Sequence, residues 1–340
     1  MRTPLLSGVF WTQLRGSGLL PEGQSEIVAR DLEKRGITTD ADAAKLLVRR
    51  GILTQYQADR LLEGRSRGFF FDEYKVLDLL GAGGMGWVYR AANTTTNEVV
   101  ALKVLLDRHK EDRGMLARFQ QEARAGLVLH HPNIVRTRAT SSAGGMLYMI
   151  LDFVEGPSLL ELLFRQQRLP WGLACDFARQ AALGLHHAHQ AGWIHRDVKP
   201  QNLFLLYNHV KVADFGQVKD LQGLMAEVTG GITPVYAAPE TFDGVITRYC
   251  DQYSLACVYQ ELLTGIRPFD GSSMSQLLMQ HLNLPPNLGP SPEADRPALL
   301  RALAKKPEDR WPTVTAFVRA LAGSHSTGSS VPAQLSPADA

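Results

Sequence analysis

The sequence predicts an α+β protein, a strand-rich stretch followed by a largely helical one, with a small all-α module in front of both. Three observations point there. Residues 74–106 read as strand, glycine turn, strand, polar turn, strand: YKVLDLLGAGGMGWVYRA, then NTTTNE, then VVALKVLL. Further on, apolar residues recur at helical spacing, as in FARQAALGLHHAHQAG, where Phe177, Ala181, Leu185 and Ala188 share a face, and again in DQYSLACVYQELLTG. Before residue 70, two near copies 33 residues apart, GLLPEGQ at 18–24 and GILTQYQ at 51–57, each open an apolar-periodic segment.

Composition narrows the function classes. A chain of 340 residues, 45% hydrophobic and 21% charged, has the profile of a soluble globular protein of about two domains. Its net charge of +2 gives no electrostatic case for nucleic acid or an anionic membrane. No uncharged apolar run approaches the roughly 20 residues that span a bilayer, and Pro4, Ser7 and Gly8 break the first residues before a signal sequence can form. A cytoplasmic protein is the expectation. Cys175, Cys250 and Cys257 form no CxxC and read as reduced, buried thiols. His186, His187 and His189 lie beside the apolar face of a helix, which favours packing over metal binding.

In the module, Pro21 and Thr54 suit helix starts, and Gly36 and Gly51 suit helix ends. Ile27, Leu46, Leu47, Leu61 and Leu62 are expected to face inward. The aromatics of GRSRGFFF at 64–71 either dock onto the next domain or begin its first strand. Gly81, Gly83 and Gly86 then fill GxGxxG, a pattern that dinucleotide-binding folds share. A dinucleotide fold needs a helix at Trp87, whereas Trp87–Arg90 continue as a β-type run. Glycines in such a turn let backbone amides approach phosphate oxygens unobstructed. Lys103 ends an otherwise apolar strand, where its charge calls for a partner, and Glu122 lies nineteen residues on in the helical stretch MLARFQQEARAGLVL, in which Phe119, Ala123 and Leu127 step by four.

The most informative stretch is WIHRDVKPQNLFLLYNHVKVADFG at 193–216. Two short apolar runs, Leu203–Leu206 and Val210–Ala213, are separated by Asn208 and His209 as a hairpin turn. That arrangement brings Asp197, Asn202 and Asp214 onto one hairpin, two carboxylates and an amide suited to a divalent metal and an acceptor hydroxyl. HRDVKPQN followed by DFG resembles the catalytic loop and metal motif of the bacterial eukaryotic-like (Hanks-type) serine/threonine protein kinases. The resemblance covers about three quarters of the chain, with each further motif in the expected order.

The resemblance implies a bilobal protein-kinase fold over 74–322, with an N-lobe at 74–151, a hinge at 152–156 and a C-lobe at 157–322. The helical module occupies 1–70, and a flexible tail 323–340. It implies ATP with Mg2+, or Mn2+ in its place, as cofactors. Gly81, Ala82, Gly83, Gly84 and Gly86 would cover the phosphates, with Lys103 on the α and β phosphates and Glu122 as its ion-pair partner. Val88, Ala101, Leu151, Asp152, Phe153, Val154 and Leu203 would surround the adenine. Asp197 would orient or deprotonate the acceptor hydroxyl, Lys199 would steady the transferring group, and Asn202 and Asp214 would hold the metal. These groups would meet around one triphosphate. His195 becomes a structural residue braced near Phe215, Glu240 of AAPE a partner for Arg310, and Asp251 an anchor for the catalytic loop's backbone. Residues 217–237 correspond to the activation segment, with Arg196 beside the catalytic aspartate and Thr229 as the candidate phosphosite, Thr233 packing against the loop.

Gln217 after DFG, Ile232 before Thr233 and Ala256 in the DQYSLAC helix depart from the family pattern, and they bear on regulation and peptide selectivity. The implied partners are protein substrates, plus self-association or a protein partner through residues 1–70, whose helices could instead dock within the chain on the smaller lobe. A catalytically silent scaffold acting through that module is the alternative reading. The presence of Lys103, Asp197, Asn202 and Asp214 together favours an enzyme.

Overall fold

The computed structural model describes residues 8–215, 219–220 and 235–325. The chain divides into two compact units, one holding the residues up to Leu116 with Arg138–Phe153, the other Ala117–Thr137 with the residues from Val154 on. Among the described residues no helix is long and apolar enough to cross a membrane.

The first unit begins with four helices, α1 (Val9–Gly16), α2 (Gln24–Lys34), α3 (Asp40–Arg49) and α4 (Gln55–Leu62). They close over their own core, in which Phe10, Leu14, Leu32, Leu47 and Leu61 are buried. Their ends are well specified. The Asp40 carboxylate accepts the Phe10 N–H at 3.1 Å and so caps α1 from the start of α3. A Cβ at Gly8 would fall on that carboxylate. Thr54 caps α4 in a capping box with Gln57. Gly36 and Gly51 follow α2 and α3 with φ of 70° and 68°, the left-handed conformation that ends a helix. Pro21, by contrast, lies outside α2, which Gly23 caps.

Two residues expected inside are outside: Ile27 is 62% exposed and Leu62 41%. In α2 the inward stripe is Val28, Ala29 and Leu32, so Ile27 falls on the far side. In α4 it is Gln57, Ala58 and Leu61, and Leu62, one residue and about 100° further round, turns to solvent. Leu46 is half-buried at the edge of the same core.

Strands β1 (Phe70–Phe71), β2 (Tyr74–Ala82), β3 (Gly86–Asn93), β4 (Val99–Leu105), β5 (Thr137–Ala143) and β6 (Met146–Asp152) form one sheet in the order β1-β2-β3-β4-β6-β5. Tyr89, Ala91, Val100, Leu102, Val104, Tyr148 and Ile150 build a core on one of its faces, joined by Phe71 and packed against Tyr56 of α4. The module is therefore docked on the sheet. Gln57 Nε2 donates to the Val76 carbonyl at 2.6 Å and Thr54 Oγ1 to the Leu77 carbonyl at 2.5 Å. Leu77 lies where the β2–β3 register slips between Val76 and Asp78, which leaves its carbonyl to the module. Of the junction aromatics, Phe71 pairs in β1 and enters the sheet core, as expected, whereas Phe69 turns back into the core of the helical module.

Helix α5 (Arg113–Val128) runs from the first unit into the second. Its buried positions include Phe119, Glu122, Ala123 and Gly126, whereas Leu127 is 37% exposed. A Cβ on Gly126 would collide with the Thr137 hydroxyl.

The second unit contains α6 (Leu159–Gln166), α7 (Trp171–Gln190), β7 (Trp193–Ile194), β8 (Leu203–Leu206), β9 (His209–Val212), β10 (Lys219–Asp220), α8 (Pro239–Phe242), α9 (Tyr249–Thr264), α10 (Met274–Asn283), α11 (Arg296–Ala302) and α12 (Val314–Gly323). Its core gathers Phe177, Ala181 and Leu185 of α7 with Tyr253 and Val258 of α9 and Phe317 of α12. Helix α9 is buried on nearly every side, and it begins two residues before Asp251.

Two further expectations shift. The β8–β9 turn is Tyr207–Asn208, with Tyr207 at φ 56°, rather than Asn208–His209. The segment expected to be a loose tail from 323 is held at its start: α12 reaches Gly323, and His325 Nε2 bonds to Asp295 at 2.7 Å while its ring packs on Trp171 at 4.1 Å. The three cysteines are free and buried. Burial pushes the Cys175 thiol up to about 11 and the other two higher still, so none is poised as a nucleophile.

Candidate functional site

The loop between β7 and β8 carries the acid–base candidates, and it is suspended from the helix beneath it. Asp251, fully buried on α9, accepts the Arg196 N–H on Oδ1 at 2.7 Å and the His195 N–H on Oδ2 at 2.9 Å. His189 of α7 adds a third bond through Nε2 at 2.7 Å. Burial alone would raise the Asp251 carboxyl. The His189 hydrogen bond, the His189 and His195 imidazoles and the Arg196 N–H outweigh it and hold the group below the ordinary aspartate range. Burial lowers the Arg196 guanidinium, with Arg118 adding to the effect.

On this suspended loop the candidates converge. Lys199 Nζ lies 2.7 Å from Asp197 Oδ2. The Asn202 amide donates to the Asp197 carbonyl at 2.9 Å and to Asp197 Oδ2 at 3.1 Å. Asp197 is itself 8% exposed, a buried carboxylate framed by an ammonium and an amide. The hairpin then brings the second acid alongside. The Ala213 N–H donates to the Asn202 carbonyl at 2.9 Å, and the Ala213 carbonyl accepts from His195 Nε2 at 2.9 Å. The next residue, Asp214, stands exposed with φ 62°.

His195 has no ring nitrogen left for chemistry. Its Nδ1 accepts the Asp197 N–H at 3.2 Å, which puts the ring proton on Nε2, and the ring packs on Phe215 at 4.7 Å. It braces the two acid-bearing segments against each other.

Sequence reasoning passed over the groups that hold this hairpin in place. Asn133 Nδ2 donates to the Val210 carbonyl at 2.9 Å, and the Val210 N–H donates to Gln180 Oε1 at 2.8 Å. The Val212 N–H donates to the Asn133 carbonyl, and the Val135 N–H to the Val212 carbonyl. His189 was overlooked in the same way, read only as a bystander to the apolar face of its helix. Of its neighbours, His187 stacks on His131 at 5.1 Å. These partners are 30 to 79 residues apart, so no local spacing reveals them.

In the first unit, the other candidates share the sheet face opposite to Tyr89 and Leu102. Val88 pairs with Lys103, and Ala101 with Leu151, so Val88, Ala101, Lys103 and Leu151 point the same way. Gly81 and Ala82 end β2, and Gly83, Gly84 and Met85 make the turn to Gly86. The turn is closed by the Gly83 N–H donating to the Gly86 carbonyl at 2.8 Å and pinned by the Leu106 N–H on the Met85 carbonyl. Gly86 must be glycine, because a Cβ there would fall on the Val104 carbonyl. His109 Nε2 contacts the Gly84 carbonyl at 2.9 Å. Asp152 engages Arg138 at 2.6 Å, and Phe153 follows it half-buried. Leu203 lies buried in β8 of the second unit, Val154 is half-buried, and Glu122 is buried on α5. Glu240 and Arg310 form the expected pair, two parallel bonds of 2.7 Å. Gln217, Thr229, Ile232 and Thr233 lie outside the described residues.

Residues 74–317 match the protein kinase domain family. Over 272 residues, 75% of this chain and 43% of the relative, it is 35% identical to the serine/threonine-protein kinase PknB of Mycobacterium leprae. It is 35% identical over 273 residues to the serine/threonine-protein kinase PknF of Mycobacterium tuberculosis, covering 75% of this chain and 57% of the relative. It is 32% identical over 256 residues to a probable serine/threonine-protein kinase of Clostridium perfringens, covering 73% and 37%. The aligned region thus spans between about a third and three fifths of the length of these relatives.

Proposed function

This chain belongs to the protein kinase family, in its bacterial eukaryotic-like serine/threonine branch, and on that premise we propose that it transfers the γ-phosphoryl group of ATP to serine and threonine hydroxyls of proteins, itself included. One observation supports the reading most: a buried aspartate, Asp197, with Lys199 at 2.7 Å and the Asn202 amide at 3.1 Å, on a loop hung from a buried carboxylate. Asp197 would take or orient the proton of the acceptor hydroxyl, and Lys199 would move from its carboxylate to the transferring oxygens. The Asn202 amide oxygen and the Asp214 carboxylate are hard oxygen donors that suit magnesium, with manganese as a second choice. The metal would supply charge neutralisation for the phosphate oxygens.

The sheet face of Val88, Ala101 and Leu151 would receive the adenine, with Lys103 of that face on the α and β phosphates and Glu122 as its partner. Residues 74–322 would be the catalytic domain, working in the cytoplasm, and residues 1–70 a module seated on its sheet. A silent scaffold reading has no observation in its favour, since Lys103, Asp197, Asn202 and Asp214 are all present.

Labelled ATP tests this reading. Wild-type chain will incorporate label into itself or a generic basic substrate, and Asp197→Asn and Lys103→Met will each lose about a hundredfold or more. Equal incorporation by the Asp197→Asn variant would refute the assignment.

A further inference from the structure

Between α4 and the sheet the first unit encloses a cavity of about 310 Å³. It is separate from the nucleotide face proposed above, for it is walled by Tyr56, Phe71, Trp87 and Tyr89 on the opposite face of the sheet. The wall is aromatic, while the mouth is basic. Arg60, Arg65, Arg67 and Arg108 line it against a single carboxylate, Asp107. Local pairing disposes of part of that charge: Glu63 lies 2.9 Å from Arg60 and 3.5 Å from Arg65, and Asp107 is paired with Lys110. Arg67 and Arg108 are exposed and have no carboxylate partner among the described residues.

Two unmatched guanidiniums over an aromatic box specify the complement. Guanidinium groups bind carboxylate, sulfonate or phosphate oxygens in paired bonds, and flat aromatic walls favour a flat apolar body. The volume lies at the lower end of the roughly 300–1,000 Å³ typical of small-molecule sites. We propose that this cavity binds a free small aromatic anion, a few rings bearing one carboxylate, sulfonate or phosphate group. Tyr89, whose hydroxyl burial pushes well above the usual phenol range, stays neutral at the cavity floor and opposes no anion.

The probe is 8-anilinonaphthalene-1-sulfonate, titrated into the full chain and followed by its fluorescence. The expected result is saturable one-to-one binding that weakens roughly tenfold or more in Arg67→Gln/Arg108→Gln. Trp87→Ala will weaken it through the wall rather than the charge, and serves as the second variant should the double substitution lower the melting temperature. The uncharged analogue N-phenyl-1-naphthylamine will bind roughly tenfold less tightly or worse, and saturating ATP will leave the sulfonate bound. Wild-type affinity in a normally folded arginine double variant, equal binding of the uncharged analogue, or displacement by ATP would each overturn the proposal. None of these readouts uses phosphoryl transfer, so failure of the kinase reading leaves them intact.

Discussion

Replacing Asp251 with alanine will destabilise the second unit by several kcal/mol and abolish the proposed phosphoryl transfer together. Three donors converge on this carboxylate, the backbone N–H groups of His195 and Arg196 and the His189 ring, at 2.7 to 2.9 Å. Without it each is left buried and unsatisfied, at about 1–3 kcal/mol apiece. The same loss releases the loop that presents Asp197, so activity falls further than stability alone accounts for. Asp251→Asn, which keeps one acceptor oxygen, will fall between. The pH dependence has a defined sign. The folded-state value lies below the ordinary 3.8, so the carboxylate's contribution is complete above that value and disappears as the pH falls through the folded one. Denaturant melts at pH 7 and near pH 3 will show that acid loss in wild type and not in Asp251→Ala.

Glu240→Gln will cost about 3–5 kcal/mol, because it strands a guanidinium in the interior. Arg310 is 1% exposed and makes both of its strongest bonds to Glu240, with the carbonyls of Ala304, Tyr249 and Lys305 taking its other protons. Removing the whole charge pair is a milder change, since desolvation of two ions is avoided along with their attraction. Glu240→Gln/Arg310→Met will therefore be more stable than either single variant in urea melts. A double variant no better than the worse single one would show that the pair itself, not the orphaned charge, carries the stability.

Much of the candidate site was legible because phosphoryl chemistry demands particular side chains in a particular order. HRDVKPQN, DFG and the glycine turn fit such demands, and the first of them marks the loop on which Lys199 and the Asn202 amide each reach Asp197. Spacing could not show the supports. Asn133, Gln180 and His189 act on backbone groups or on a carboxylate far along the chain, and a side chain that bonds to a distant carbonyl leaves no periodic trace. The sequence left docking of the module open beside self-association and an outside partner, since what decides it is Thr54 and Gln57 reaching the carbonyls of β2. Ile27 and Leu62 lie outside because short helices with narrow inward stripes do not bury every apolar side chain. The Tyr207 turn was missed because a bulky residue in the left-handed region is uncommon.

The run Phe69–Phe71 sets how the first unit comes apart. With one ring sunk in the helical interior, another in the interior of the sheet, and a single residue between them, the splice has no slack to act as a hinge. Heat should take helices and strands down in one transition, and a protease should find no nick between them until both have melted. A truncation just ahead of the splice would strip Phe69 of its surroundings and bare the aromatic face that α4 shelters, giving a sticky fragment instead of a trimmed enzyme.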